Sequence, residues 1–136
     1  MRCLLVEDRP EISFIARRFM QGLISTDAAA TAEEAIPLLL STTYDLIFLD
    51  IQLGPGITGI DLLHAIRADP RYAKTPIIAC TASSEPGKRE ALLAEGFDDF
   101  LAKPFTREDI QAMVRKHLAK QQSERQMANG ILEEWM

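Results

Sequence analysis

Apolar positions along the chain follow two periods. Short apolar runs such as Cys3-Leu4-Leu5-Val6, Leu46-Ile47-Phe48-Leu49 and Ile77-Ile78-Ala79-Cys80 are strand-like, and stretches with apolar residues three and four apart separate them. The pattern predicts strands over residues 2–6, 27–30, 45–49, 76–80 and 98–101, and helices over 10–23, 32–42, 59–68, 86–95 and 106–120. Continuously apolar strands suit a parallel sheet covered on both faces, so five βα units predict a doubly wound α/β fold.

Local chemistry supports these boundaries. Thr31-Ala32-Glu33-Glu34 and Thr106-Arg107-Glu108-Asp109 have the form of helix N-terminal caps, and Pro10 and Pro86 fit a first helical turn. Gly22 and Gly96 are placed to end helices. Two places resist the pattern. Asp27-Ala28-Ala29-Ala30 has poor β propensity, and Pro37 falls where the second helix needs a donor, so that helix is expected to be kinked, late-starting or irregular.

Composition narrows the class. A chain of 136 residues, 47% hydrophobic and 26% charged, fits one globular domain with its own core. No apolar run is long enough to span a bilayer, and Met1 leads directly into a strand without a leader-like segment, so a cytoplasmic location is expected. A net charge of −5 with no basic cluster argues against nucleic acid as a partner. Cys3 and Cys80 lie inside apolar runs and read as small buried hydrophobes.

Candidate chemistry gathers at the predicted strand ends. The first strand ends in Glu7-Asp8, the third in Asp50, the fourth in Thr81, and the fifth leads to Lys103-Pro104. In an open parallel sheet these carboxyl ends converge on the ligand-binding edge. Three carboxylates held together repel one another unless a cation intervenes, and oxygen donors without paired His or Cys suit Mg²⁺. Mg²⁺ binds phosphoryl oxygens, Lys103 and Thr81 can orient others, and one carboxylate can act as nucleophile.

With these residues in place, the chain resembles the receiver domains of two-component response regulators. The resemblance rests on Leu4-Leu5-Val6-Glu7-Asp8, Asp45-Leu46-Ile47-Phe48-Leu49-Asp50, Pro76-Ile77-Ile78-Ala79-Cys80-Thr81-Ala82 and Asp98-Asp99-Phe100-Leu101-Ala102-Lys103-Pro104-Phe105, and spans about residues 2–119. It implies a flavodoxin-like sheet of order 2-1-3-4-5 with five helices. It implies Asp50 as the phosphoacceptor, with Mg²⁺ held by Glu7, Asp8, Asp50 and the backbone carbonyl of Gln52. Lys103 and the backbone amide of Ala82 would hold the phosphoryl group, Thr81 and Phe100 would form the switch pair, and the Lys103–Pro104 bond would be cis. The implied partner is a histidine kinase or histidine phosphotransfer protein, acting on through a downstream protein; a homodimer is expected separately, with residues 121–136 as a segment that could dock on the domain, a second copy or a partner. Gly54 stands where the family usually has proline, with Pro55 next, so the loop to Gly59 is one residue longer. Arg9 stands where relatives often carry an acidic or small polar residue, and is placed to pair with the acidic cluster or a phosphoryl oxygen.

Other readings stand beside this one. A receiver-like chain can act as a constitutive binding module. A Mg²⁺-dependent aspartyl phosphatase also uses a strand-end Asp, but needs a second carboxylate two residues later, where this chain has Gln52. His64 and His117 are expected on helix surfaces or faces rather than as ligands, and Ile110, Met113, Val114, His117 and Leu118 as the core side of the last helix. The domain is expected over 1–119. Residues 120–136 are expected as a helical continuation or tail, with Met127, Ile131, Leu132, Trp135 and Met136 as an apolar stripe that Asn129-Gly130 would weaken.

Overall fold

The computed structural model describes residues 1–83 and 85–135, with side chains described through Glu124 and at Met127. Five βα units appear in order: β1 (Arg2–Val6), α1 (Pro10–Met20), β2 (Ser25–Ala29), α2 (Ala32–Ser41), β3 (Leu46–Asp50), α3 (Gly59–Ala68), a 3₁₀ turn (Pro70–Tyr72), β4 (Ile77–Thr81), α4 (Lys88–Glu95), β5 (Asp99–Ala102) and α5 (Arg107–Trp135). The strands form one parallel sheet of order β2-β1-β3-β4-β5, the flavodoxin-like topology expected.

Strand alternation sorts the core into two layers. Leu4, Val6, Ile47, Leu49, Ile77 and Ala79 face α2, α3 and α4, whereas Cys3, Leu5, Leu46, Phe48, Ile78 and Cys80 face α1 and α5. The central strand β3 is buried at all five positions, so its last residue, Asp50, is carried to the sheet edge from a fully apolar run. Cys3 and Cys80 are buried free thiols, as the apolar context predicts.

The two weak places fold for identifiable reasons. In the edge strand β2, Asp27 accepts from Arg2 Nη2 at 2.7 Å and from Tyr44 Oη at 2.7 Å, so its carboxylate is satisfied beside the ladder. The second helix is neither late nor interrupted: it runs unbroken from Ala32 to Ser41 with Pro37 inside it. Thr31 Oγ1 accepts the Glu34 amide, fixing the start. Glu33, whose carbonyl loses its helical donor to Pro37, lies like Pro37 on the exposed face, open to water. At the other end the 3₁₀ turn, absent from the sequence reading, supplies donors: Tyr72 Oη to the carbonyls of Leu39 and Thr42, and Arg71 to those of Leu39 and Leu40.

His64 is exposed and pairs with Glu95 at 3.0 Å, and His117, on the core side of the last helix as its spacing predicts, is buried with its Nε2 3.1 Å from Asp99 Oδ2. Asp99, on β5, also receives Lys116 Nζ at 2.8 Å and its neighbour's amide, that of Phe100, at 2.9 Å. Burial alone would raise the Asp99 carboxyl, but Lys116, the Phe100 amide and His117 outweigh it and hold it below the usual range. The last helix runs from Arg107 through Asn129-Gly130 to Trp135, and the apolar stripe expected along its end lies, beyond Met127, outside the described side chains.

The N-terminus of α3 presses on the loop after Asp50. Thr58 and Asp61 form a reciprocal capping box, and Gly59 donates to the Ile51 carbonyl at 3.3 Å. A Cβ at position 59 would overlap the Asp50 carbonyl oxygen and lie 2.8 Å from Ile51 Cα. Gly59→Ala is therefore expected to destabilise the fold by about 1–3 kcal/mol, read as a lower urea midpoint. An unchanged midpoint would mean that the loop yields freely.

Candidate functional site

Register brings the polar strand ends together. β1 and β3 are adjacent, so Glu7, which follows Val6, and Asp50, which follows Leu49, project from neighbouring strands at the carboxyl edge, where the strand order reverses. Oxygens of Glu7, Asp8 and Asp50 lie within 4.8 Å of one another. Glu7 and Asp50 are buried and Asp8 is exposed at the mouth. Among the described residues this is the one such cluster of potential metal ligands.

Lys103 enters from the far side of the sheet. Its amide donates to the Thr81 carbonyl at 2.8 Å, extending the β4–β5 ladder by one bond, and the peptide to Pro104 is cis. The ammonium then reaches Glu7 Oε1 and Oε2 at 2.9 and 2.7 Å, and Asp50 Oδ2 at 3.4 Å. Burial pushes its pKa down, yet Glu7 and Asp50 together overcome this and hold it above the ordinary lysine value. Glu7 is also pushed up, to about 7, first by burial and then by its contact with Asp50, against the opposing pull of Lys103. Near neutrality Glu7 is therefore divided between its protonated and ionised forms.

The remaining predicted residues surround this centre. The Gln52 amide donates to Asp50 Oδ1 at 3.0 Å, so the loop after Asp50 turns back over the carboxylate. Thr81 is buried at the end of β4, and its Oγ1 accepts the Ser83 amide at 3.1 Å. Ala79 pairs with Phe100, so Thr81, two residues on, lies on the same sheet face as that ring, which is half-buried against the α2–α4 side of the core. Ala82 lines a cavity of about 320 Å³ with Arg9, Lys103 and Phe105. Arg9 makes no ion pair with the acidic cluster among the described residues. Cys80 pairs in register with Asp50, but burial pushes its thiol up to about 12, which keeps it protonated beside the carboxylates.

The sequence reading named the carboxylates, Thr81, Phe100 and Lys103, but missed Gly59 and the Glu7–Lys103 contact. Gly59 had a local signal in the Thr58–Asp61 cap around it. Strand order brought Glu7 and Lys103 to one edge of the sheet, but nothing local paired them across 96 positions.

A doubly wound sheet whose carboxyl edge carries an acidic pocket and a facing lysine defines the receiver class of two-component signalling proteins. The chain belongs to the response regulator receiver domain family, which it matches over residues 3–115. It is 34% identical over 122 residues to the response regulator Rre1 of Synechocystis, covering 88% of this chain and 52% of that protein. It is 30% identical to the chemotaxis protein CheY of Pseudomonas aeruginosa, covering 85% of this chain and 94% of that one. Among solved structures, the receiver domain of the sensor histidine kinase PA1611 from Pseudomonas aeruginosa, with magnesium coordinated in its active-site cleft, superposes with a TM-score of 0.78 at 32% identity, covering 87% of this chain and 97% of that one. The chain spans about half the length of Rre1. No helix among the described residues is long and apolar enough to cross a membrane.

The raised Glu7 pKa gives a pH prediction for the metal-free protein. A carboxyl whose folded pKa lies above its ordinary 4.5 contributes stability that is complete below that value and is lost as pH rises toward about 7. Urea midpoints in EDTA are expected to fall across this window, and Glu7→Gln to flatten that part of the profile. A Glu7 ¹³C carboxyl titration near 4.5 would contradict the burial argument.

Proposed function

We propose that the chain accepts a phosphoryl group on Asp50 from a phosphohistidine of a histidine kinase or phosphotransfer protein, in a Mg²⁺-dependent reaction. The observation that carries this reading is the meeting of Glu7, Asp8 and Asp50 within 4.8 Å with Lys103 facing them. The donor set fits the ion: carboxylate oxygens are hard ligands, and the adjacent Cys80 is a protonated thiol. Glu7, Asp8, Asp50 and the Gln52 carbonyl would hold Mg²⁺. Its charge there would offset the repulsion among the carboxylates and the charge on the phosphoryl oxygens.

The chain's own groups perform the transfer. An Asp50 carboxylate oxygen attacks phosphorus in line, the oxygen–phosphorus bond forms, and the phosphorus–nitrogen bond breaks with its electron pair returning to the donor imidazole. Lys103 shifts its hydrogen bonds from Glu7 to a phosphoryl oxygen, while Thr81 Oγ1 and the Ala82 amide hold others. Drawing Thr81 toward the phosphoryl group vacates space on the face it shares with Phe100, which turns inward and changes the surface presented to a downstream protein. Water entering the same pocket reverses the modification. The site thus receives and loses a phosphoryl group without a conventional substrate turnover, and such signalling places the protein in the cytoplasm.

Intact mass after incubation with acetyl phosphate tests this. One phosphoryl group is expected to add in the presence of Mg²⁺, to be absent with EDTA, and to be absent from Asp50→Asn. No addition, together with failure to bind beryllofluoride, would leave the chain as a constitutive binding module.

A further inference from the structure

The edge of the sheet opposite Asp50 carries a groove with its own chemistry. It lies between α1, α5 and the starts of β1 and β2, has a volume of about 830 Å³, and takes apolar lining from Met1, Phe14, Ile24 and Leu118. Phe14 is 60% exposed and Met1 44%, high values for large apolar side chains. Arg17 and Arg18 line it from the last turn of α1, and among the described residues neither pairs with a carboxylate. In a chain of net charge −5, this is a local basic rim on an apolar trough. Its complement is an acidic, apolar segment.

The chain carries one. Ile131-Leu132-Glu133-Glu134-Trp135 closes α5, with two adjacent carboxylates among large apolar residues. It does not reach the groove of its own copy. Leu118 and Gln122 of α5 line that groove, and the same unbroken helix carries Ile131 roughly 20 Å beyond Leu118 along its axis. A second copy can supply it. If two α5 helices run antiparallel and cross at the level of residue 127, residues 131–135 of each lie beside residues 119–123 of the other. One two-fold axis then fills both grooves.

We infer that the chain forms a symmetric dimer in which the end of α5 from each copy docks in the α1–α5 groove of the other, with Glu133 and Glu134 opposite Arg17 and Arg18. The groove opens at the amino edge of the sheet, so dimerisation leaves both Asp50 pockets accessible to a phosphodonor.

Sedimentation equilibrium of the full chain tests this through charge reversal. The parent chain is expected to dimerise, and either Arg17→Glu/Arg18→Glu or Glu133→Arg/Glu134→Arg to weaken the dimer by roughly tenfold or more. Combining all four substitutions is expected to restore it. The second pair lies beyond the domain body, so it remains informative if the first pair disturbs α1. A parent chain that is monomeric at every concentration, a dimer indifferent to either reversal, or a combination that fails to restore association would each overturn the proposal.

Discussion

Three carboxylates within 4.8 Å of one another at the end of buried strands form the constraint on which the site depends. Their mutual repulsion, sharpened by the apolar run that leads to Asp50, demands positive charge in the pocket. Lys103 supplies it by bonding both Glu7 oxygens and approaching Asp50, while burial first and the contact with Asp50 second still hold the Glu7 pKa up at about 7. On the proposed function, the pocket would take a second cation, and Lys103 would exchange its carboxylate partners for phosphoryl oxygens. On the same proposal, stability and reactivity would share one cause: the crowding of like charge in the pocket would favour binding of a divalent ion and its anionic ligand.

The fold serves that constraint through order and register. Glu7 and Asp50 meet because β1 and β3 are neighbours. Thr81 and Phe100 share a face because β4 and β5 pair with Ala79 opposite Phe100. Gly59 lets α3 approach the Asp50 carbonyl, and the Gln52 amide turns over the carboxylate, so the loop is fixed by backbone contacts. Beside Phe100, Asp99 ties β5 to α5 through Lys116 and the buried His117.

Much of this was legible in the sequence because the decisive features are local. Apolar runs ending in Glu7-Asp8, Asp50 and Thr81 announce both the strands and the edge at which they act, and the order of the motif blocks carried the family resemblance. What escaped depended on distant partners. The short edge strand β2 holds Asp27 because Arg2 and Tyr44 satisfy it, and α2 accommodates Pro37 because the orphaned carbonyl faces water while Tyr72 and Arg71 finish the helix. Helical spacing put His117 on the core side of α5, but nothing local revealed Asp99 as its partner. The Asn129-Gly130 pair weakens helix propensity without ending the helix, whose backbone continues to Trp135.

The central claim is that Asp50, rather than either neighbouring carboxylate, carries the phosphoryl group. Borohydride reduction of the acetyl-phosphate-treated chain, followed by peptide mass mapping, tests it at residue level because an aspartyl phosphate is reduced to homoserine. The account predicts homoserine at position 50 alone, appearing only when Mg²⁺ was present. Reduction at Glu7 or Asp8, or none in a chain that had gained the phosphoryl mass, would contradict it.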